Sequence, residues 1–143
     1  MDKNKSVTTT PEFSRIIQIN SSILDKKFQI IANEEECDRL SYRFNLECIK
    51  NLEAECIITK REDLENSYTL ICHMKSDIVK FKIEDDEEKF IIEEEFSVVL
   101  LDPSYESRNL DFLDNEDVEF LSQNDSVDIG EIVSQYVSLF VFM

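Results

Sequence analysis

Glycine is nearly missing from this chain: one in 143 residues, alongside two prolines, one histidine and no tryptophan. A single glycine builds neither the dinucleotide-binding fingerprint nor the phosphate-binding P-loop, because both need several glycines for backbone to approach phosphate. So little glycine and proline also excludes collagen-like and proline-rich disordered classes. Positive charge is scarce too, 15 Lys and Arg against 32 Asp and Glu, for a formal net charge of -17. Such a field repels phosphate backbones, which disfavours non-specific nucleic-acid binding and favours basic protein partners. The cysteines, Cys37, Cys48, Cys56 and Cys72, include no CxxC pair, so zinc-knuckle and thioredoxin-like spacings are absent and neither a metal nor another cofactor is expected. Cys56 and Cys72 read as small core residues. No apolar signal segment follows the polar start MDKNKSVTTT, and the most apolar stretch, which contains Gly130, Glu131 and Gln135, is shorter than the roughly 20 residues of a membrane span. The expectation is a cytoplasmic protein with reduced thiols and no membrane contact.

What is present suits one compact domain. The hydrophobic fraction is 42%, enough for a core, and the length matches a single domain over residues 12–143 behind a polar, mobile arm over residues 1–11. The run IVKFKIEDDEEKFIIEEEFSVVLL, Ile78 to Leu101, states the architecture most plainly. Val79, Phe81 and Ile83 alternate with Lys80, Lys82 and Glu84, the period of a half-buried strand. A turn over Asp85 to Glu88 then sets Ile83 opposite Phe90, Phe81 opposite Ile92 and Lys80 across from Glu93. Glu94 continues the Phe90, Ile92, Phe96 and Val98 face, which calls for a sheet edge or a bulge.

Upstream, Phe13 to Ile19 and Lys26 to Ile31 are short β-branched segments separated by Asn20, Ser21 and Ser22, the pattern of two strands and a turn. Asn33 and Glu36 stand at capping-box spacing, and Cys37, Leu40 and Phe44 follow as an apolar stripe, predicting a helix to Phe44 or Asn45. Leu46 to Thr59 turns extended, with Leu52, Ala54, Cys56 and Ile58 on one face. Tyr68 to Met74 answers it across a loop over Arg61 to Glu65, pairing Cys56 with Leu70 and Ala54 with Cys72. Residues 102–125 gather acidic side chains and read as a solvated linker. Their Leu110, Phe112, Leu113, Phe120 and Leu121 are apolar enough to dock on the domain itself in short turns. Asp128 and Glu131 repeat the capping-box spacing before Ile129, Ile132, Val133, Tyr136, Val137, Phe140 and Val141, which predicts an amphipathic helix over residues 128–142. Gly130, in its first turn, allows a close approach to the sheet. The fold class is α+β: an antiparallel meander, a short helix after the first two strands and a C-terminal helix packed on the sheet.

The combination FSRIIQI, a short helix before Phe44 and Leu46, IIEEEFSVVL, and the closing VDIGEIVSQYVSLFV resembles the YceD family of large ribosomal RNA accumulation proteins, in its alphaproteobacterial-type branch. The resemblance runs from about Phe13 to Val141, and Asp128, Gly130 and Glu131 are its most recognisable residues. It implies a bacterial cytoplasmic role in ribosome assembly and supplies no mechanism. Many relatives carry a CxxC on the strand that aligns near Ile78 to Phe81; here Ile78 and Phe81 occupy those places, so a thiol-based metal or redox role does not transfer.

No catalytic centre is expected. The histidine, His73, falls with Lys75 on the polar face of a strand, without a serine or cysteine motif around it. Glu93, Glu94 and Glu95 point alternately to opposite faces, so one ion cannot collect all three, and they suit a solvated edge that resists pairing with other chains. The expected function is a non-enzymatic ribosome-assembly factor that binds a basic ribosomal or assembly protein. The alternative is direct binding of ribosomal RNA, which requires the fold to gather Lys26, Lys27, Lys50, Lys60 and Arg61 into a basic patch.

Overall fold

The computed structural model describes residues 12–83 and 86–142. The arm expected over residues 1–11 and Asp85, the first residue of the turn expected over Asp85 to Glu88, lie outside the described residues, while Asp86 to Glu88 belong to a strand and not to a turn. Seven strands and two α-helices follow in the order β1 (Ile16–Gln18), β2 (Phe28–Ile31), α1 (Glu34–Arg43), β3 (Cys48–Lys60), β4 (Ser67–Ile83), β5 (Asp86–Leu101), β6 (Val118–Phe120), β7 (Ser126–Asp128) and α2 (Ile129–Val141). A five-stranded sheet runs β2-β3-β4-β5-β6, antiparallel except for the parallel β5-β6 edge, and β1 pairs with β7 in a two-stranded sheet of its own. The expected α+β meander with one early helix and one closing helix is the architecture present. The first two predicted strands are both there, but in different sheets: β1 reaches across the chain to β7 while β2 lies along β3.

Both helices cover the same face of the large sheet. Cys37 and Leu40 of α1, with Ile132, Val133, Val137 and Val141 of α2, pack on a strand face made by Ala54, Cys56, Ile58, Leu70, Cys72, Met74, Ile78, Phe96 and Val98. Burying these apolar side chains is the main driving force for the fold. In α1 the capping box forms in full: Asn33 Oδ1 accepts from Glu36 N, and Glu36 Oε1 accepts from Asn33 N. A second apolar cluster, Val99, Leu101, Tyr105 and Leu113, lies on the opposite face. It draws the 102–125 segment onto the sheet through two 3-10 turns, Pro103–Tyr105 and Asp111–Leu113, and through β6. That segment, expected as an acidic linker with some docking, is therefore layered on the domain over Val99 and Leu101.

The expected hairpin register is corrected by five positions. Ile78, not Ile83, faces Phe90; Ser76, not Phe81, faces Ile92; and Glu93 lies across from Lys75, while Lys80 lies across from Glu88. The physical reason is that Tyr68–Met74 and Ile78–Ile83 form one unbroken 17-residue strand. Its phase is set by Leu70, Cys72 and Met74, all fully buried, and carrying that phase forward puts Ile78 inside and leaves Phe81 53% exposed. The loop after β3 spans residues 61–66, so the β3-β4 pairing shifts by two residues from expectation. Cys56 faces Cys72 and Ile58 faces Leu70, and because a shift of two keeps the face, the predicted core residues stay correct. Glu94 sits in a continuous register and is exposed on a part of β5 that β6 does not pair with; the register shifts come between Lys50 and Glu53 and between Lys80 and Ile83.

Scarcity of glycine shows in the backbone. The left-handed positions are filled by Asp25, Asn45, Asn51, Asn66 and Asp125, the residue types whose short polar side chains tolerate that region best after glycine. The chain's glycine serves packing instead: a Cβ at Gly130 would stand 2.6 Å from the Phe13 carbonyl oxygen and 2.8 Å from the Arg15 nitrogen. Both are backbone atoms, so Gly130→Ala is expected to destabilise by about 1–3 kcal/mol through overpacking, although alanine by itself favours helix by about 1 kcal/mol. A lower urea midpoint at unchanged slope checks this; a higher one shows that helix propensity wins. Cys56 and Cys72 place their Sγ atoms 3.2 Å apart as free thiols, and the bond between them together with burial pushes the Cys72 thiol upward. Iodoacetamide is expected to spare both in the folded chain and to label both in urea; rapid labelling of either in the folded state would contradict the packing.

Candidate functional site

Asp128, Gly130 and Glu131 converge at a polar junction where the two ends of the described chain meet. Asp128 is the N-cap of α2: its Oδ1 accepts from Glu131 N at 3.2 Å and from Arg15 N at 2.8 Å, and its Oδ2 accepts from Ser14 Oγ at 2.7 Å. The return half of the expected capping box is replaced. Glu131 turns its carboxylate to Arg43, which donates from Nη1 at 2.9 Å and from Nη2 at 3.0 Å, and it also accepts from Gln135. Arg43 closes the last turn of α1 and bonds Glu12 as well, so one guanidinium ties both helices to the N-terminal segment. A cation at a helix C-terminus and a carboxylate at a helix N-terminus each also meet the favourable end of the helix dipole.

Arg15 anchors the other side. Its guanidinium holds the Glu36 carboxylate in a two-pronged pair, both bonds at 2.7 Å, and donates to the Ser14 and Ile31 carbonyls. Glu36 is 8% exposed, and Arg15 is its cation. The bonds from Arg15 hold the Glu36 carboxyl below its ordinary range against the opposing effect of burial; Arg43 does the same for Glu131. These contacts fasten Glu12 to Arg15 onto α1, β2 and α2, and the groups resembling a family motif thus act as the joint of the fold. Sequence reading found the two N-caps but missed Arg15 and Arg43. Their partners are 21 and 88 residues away along the chain, a separation with no local signal.

The five basic residues offered as a patch are not brought together as one. Lys26 and Lys27 lead into β2, whose Phe28 faces Cys56; Lys60 ends β3 nearby and Arg61 opens the loop after it; Lys50 lies at the other end of β3, across from Asp77. Lys50 and Lys60 are thus separated by roughly 30 Å of strand. Carboxylates engage part of the set: Lys27 pairs with Glu55 at 3.6 Å, and Arg61 with Asp63 at 2.7 Å and Glu116 at 3.7 Å. His73 is exposed on the outer face, 3.1 Å from Glu93.

A groove of about 310 Å³ opens beside the β5 edge, lined by Val98, Val118, Glu119, Ile132, Tyr136 and Leu139. Tyr136 stacks on Phe96 with centroids 3.8 Å apart and donates to the Asp117 carboxylate. Burial, with Glu131 nearby, pushes the Glu119 carboxyl up. No helix among the described residues is long and apolar enough to cross a membrane. No family model matches the chain, and no curated protein or solved structure matches it either.

The Arg15–Glu36 bond makes stability depend on pH in a defined direction. A carboxyl held below its unfolded value contributes stability that is complete above that unfolded value and is lost as pH falls through the folded one. Glu36→Gln is expected to cost about 1–3 kcal/mol at neutral pH, and to lose less than the parent as pH drops from about 5 to about 3. Urea midpoints at several pH values measure this; parallel decline of the two proteins would remove Glu36 from the acid response.

Proposed function

We propose that this chain is a non-enzymatic binding protein of the bacterial cytoplasm, whose anionic surface takes up a basic ribosomal or assembly protein while the large ribosomal subunit is built. One observation carries the reading: four of the five arginines are paired with carboxylates of the chain itself. Arg15 faces Glu36, Arg39 faces Glu35, Arg43 faces Glu12 and Glu131, and Arg61 faces Asp63 and Glu116. With 32 acidic side chains against 15 basic ones, this pairing leaves a surplus of carboxylates for the solvent and for partners. Complementary charge of that kind speeds encounter with cationic proteins and repels phosphate. The ribosomal setting comes from the resemblance to the YceD family. Direct contact with ribosomal RNA is the weaker reading, since Lys50 stands apart from Lys26, Lys27 and Lys60, and Arg61 already has two carboxylates.

Purified, immobilised chain offered protein-free ribosomal RNA and, separately, nuclease-treated ribosomal proteins tests this. Retention of one or a few basic proteins is expected, weakening several-fold as salt is raised to about 0.5 M. Retention of ribosomal RNA without any protein would overturn the proposal.

A further inference from the structure

We infer that the open edge of β5, from Ile91 to Ser97, is a strand-addition site for an extended basic segment of a protein partner. The inference rests on the reading above that the partner is cationic, and it names where and how that partner binds. β6 covers β5 only over Val99 to Leu101. There, Val99 N donates to Asp117 O at 2.8 Å and Leu101 O accepts from Leu121 N at 2.8 Å, so these odd-numbered residues aim their backbone groups away from β4. The β4-β5 register is unbroken from Glu88 to Leu101. In an antiparallel pair the outward direction alternates strictly, so Ile91, Glu93, Glu95 and Ser97 also present their N–H and C=O groups to the edge. Among the described residues no strand pairs with them. Seven residues of such edge extend over roughly 23 Å.

The surroundings specify what fits. Glu93, Glu94 and Glu95 are all exposed, two on the outer face and one on the helix side. At the end where β6 begins, Asp117 and Glu119 add two more carboxylates around the groove. Glu119, raised by burial and by Glu131, gains from a cation placed beside it. Apolar surface accompanies this charge: Leu139 is 52% exposed on the helix side and Ile91 63% on the outer face. A strand laid on this edge sends alternate side chains to opposite faces, which matches a segment that interleaves lysine or arginine with aliphatic residues. A second copy is the wrong occupant, because antiparallel pairing of β5 with itself sets Glu93 to Glu95 against their own counterparts. Backbone pairing supplies affinity in such sites and the flanking side chains supply selectivity.

The test uses the intact chain and a synthetic peptide of about nine residues alternating lysine with valine, long enough to span the edge. A control peptide has the same lysines separated by glycine and proline. Amide exchange at Ile91, Glu93, Glu95 and Ser97 is expected to slow at least tenfold with the first peptide, more than with the control, while Ile92, Glu94 and Phe96 hardly change. Glu95→Pro removes an outward N–H without touching the ladder to β4 and is expected to weaken binding about tenfold; substitution of Glu93, Glu94 and Glu95 by glutamine is expected to weaken it and flatten its salt dependence. Peptide binding that leaves these amides unprotected and tolerates Glu95→Pro would overturn the edge site while leaving the cationic-partner reading in place. Failure of both peptides to bind at all would overturn both readings. Protection of the same amides in a peptide-free dimer would assign the edge to a second copy and overturn the inference. Should Glu95→Pro fail to fold, the exchange pattern of the unaltered chain decides alone.

Discussion

The carboxylate of Asp128 ties the first described residues to the start of α2, and much of the architecture depends on it. It caps α2 through Glu131 N and fixes the N-terminal segment through Arg15 N and Ser14 Oγ. With that segment in place, the Arg15 guanidinium reaches Glu36 at the start of α1 and the Ile31 carbonyl at the end of β2. Arg43, at the far end of α1, then meets Glu131. The N-terminal segment, β2, α1 and α2 are thereby cross-tied by charge-assisted bonds, which are roughly twice as strong as neutral ones. Gly130 permits the geometry, since its bare Cα is what lets the Phe13–Arg15 backbone lie against α2.

This joint leaves the other side of the sheet to different rules. Both helices occupy one face, the 102–125 segment occupies the end of the other through Val99, Leu101, Tyr105 and Leu113, and among the described residues no strand covers β5 from Ile91 to Ser97. The carboxylates along that edge serve two ends at once. They make self-association through β5 unfavourable, the usual protection of an exposed strand, and under the proposed function they are the groups that a cationic segment would meet there.

Much of this was legible from the residues. Asn33 with Glu36, and Asp128 before Ile129, marked both helix starts, because a capping signal is local. The alternation of Leu52, Ala54, Cys56 and Ile58 gave the inner face of β3, and a register shifted by two residues did not disturb it. The β4-β5 hairpin was misread because Val79 and Phe81 look like an inner face when taken apart from Leu70, Cys72 and Met74. Only the continuity of β4 through Ser76, whose Oγ donates to the Lys50 carbonyl, reveals which phase wins. The β1-β7 pairing and the Arg15–Glu36 pair were illegible for a simpler reason: their strength comes from partners that only the tertiary fold brings near.

The meeting of Ser14 and Arg15 with Asp128 spans 114 and 113 residues, and it bears on the order of folding during synthesis. Closing so long a loop costs conformational entropy that nothing local repays, and contacts of high sequence separation form slowly. Residues 12–18 leave the ribosome well before their anchor: Asp128 is made 113 residues after Arg15, and their strand partner β7 with it. The helix-and-meander part from β2 to β5 can therefore assemble while translation continues, and the N-terminal segment waits to be locked in until α2 emerges.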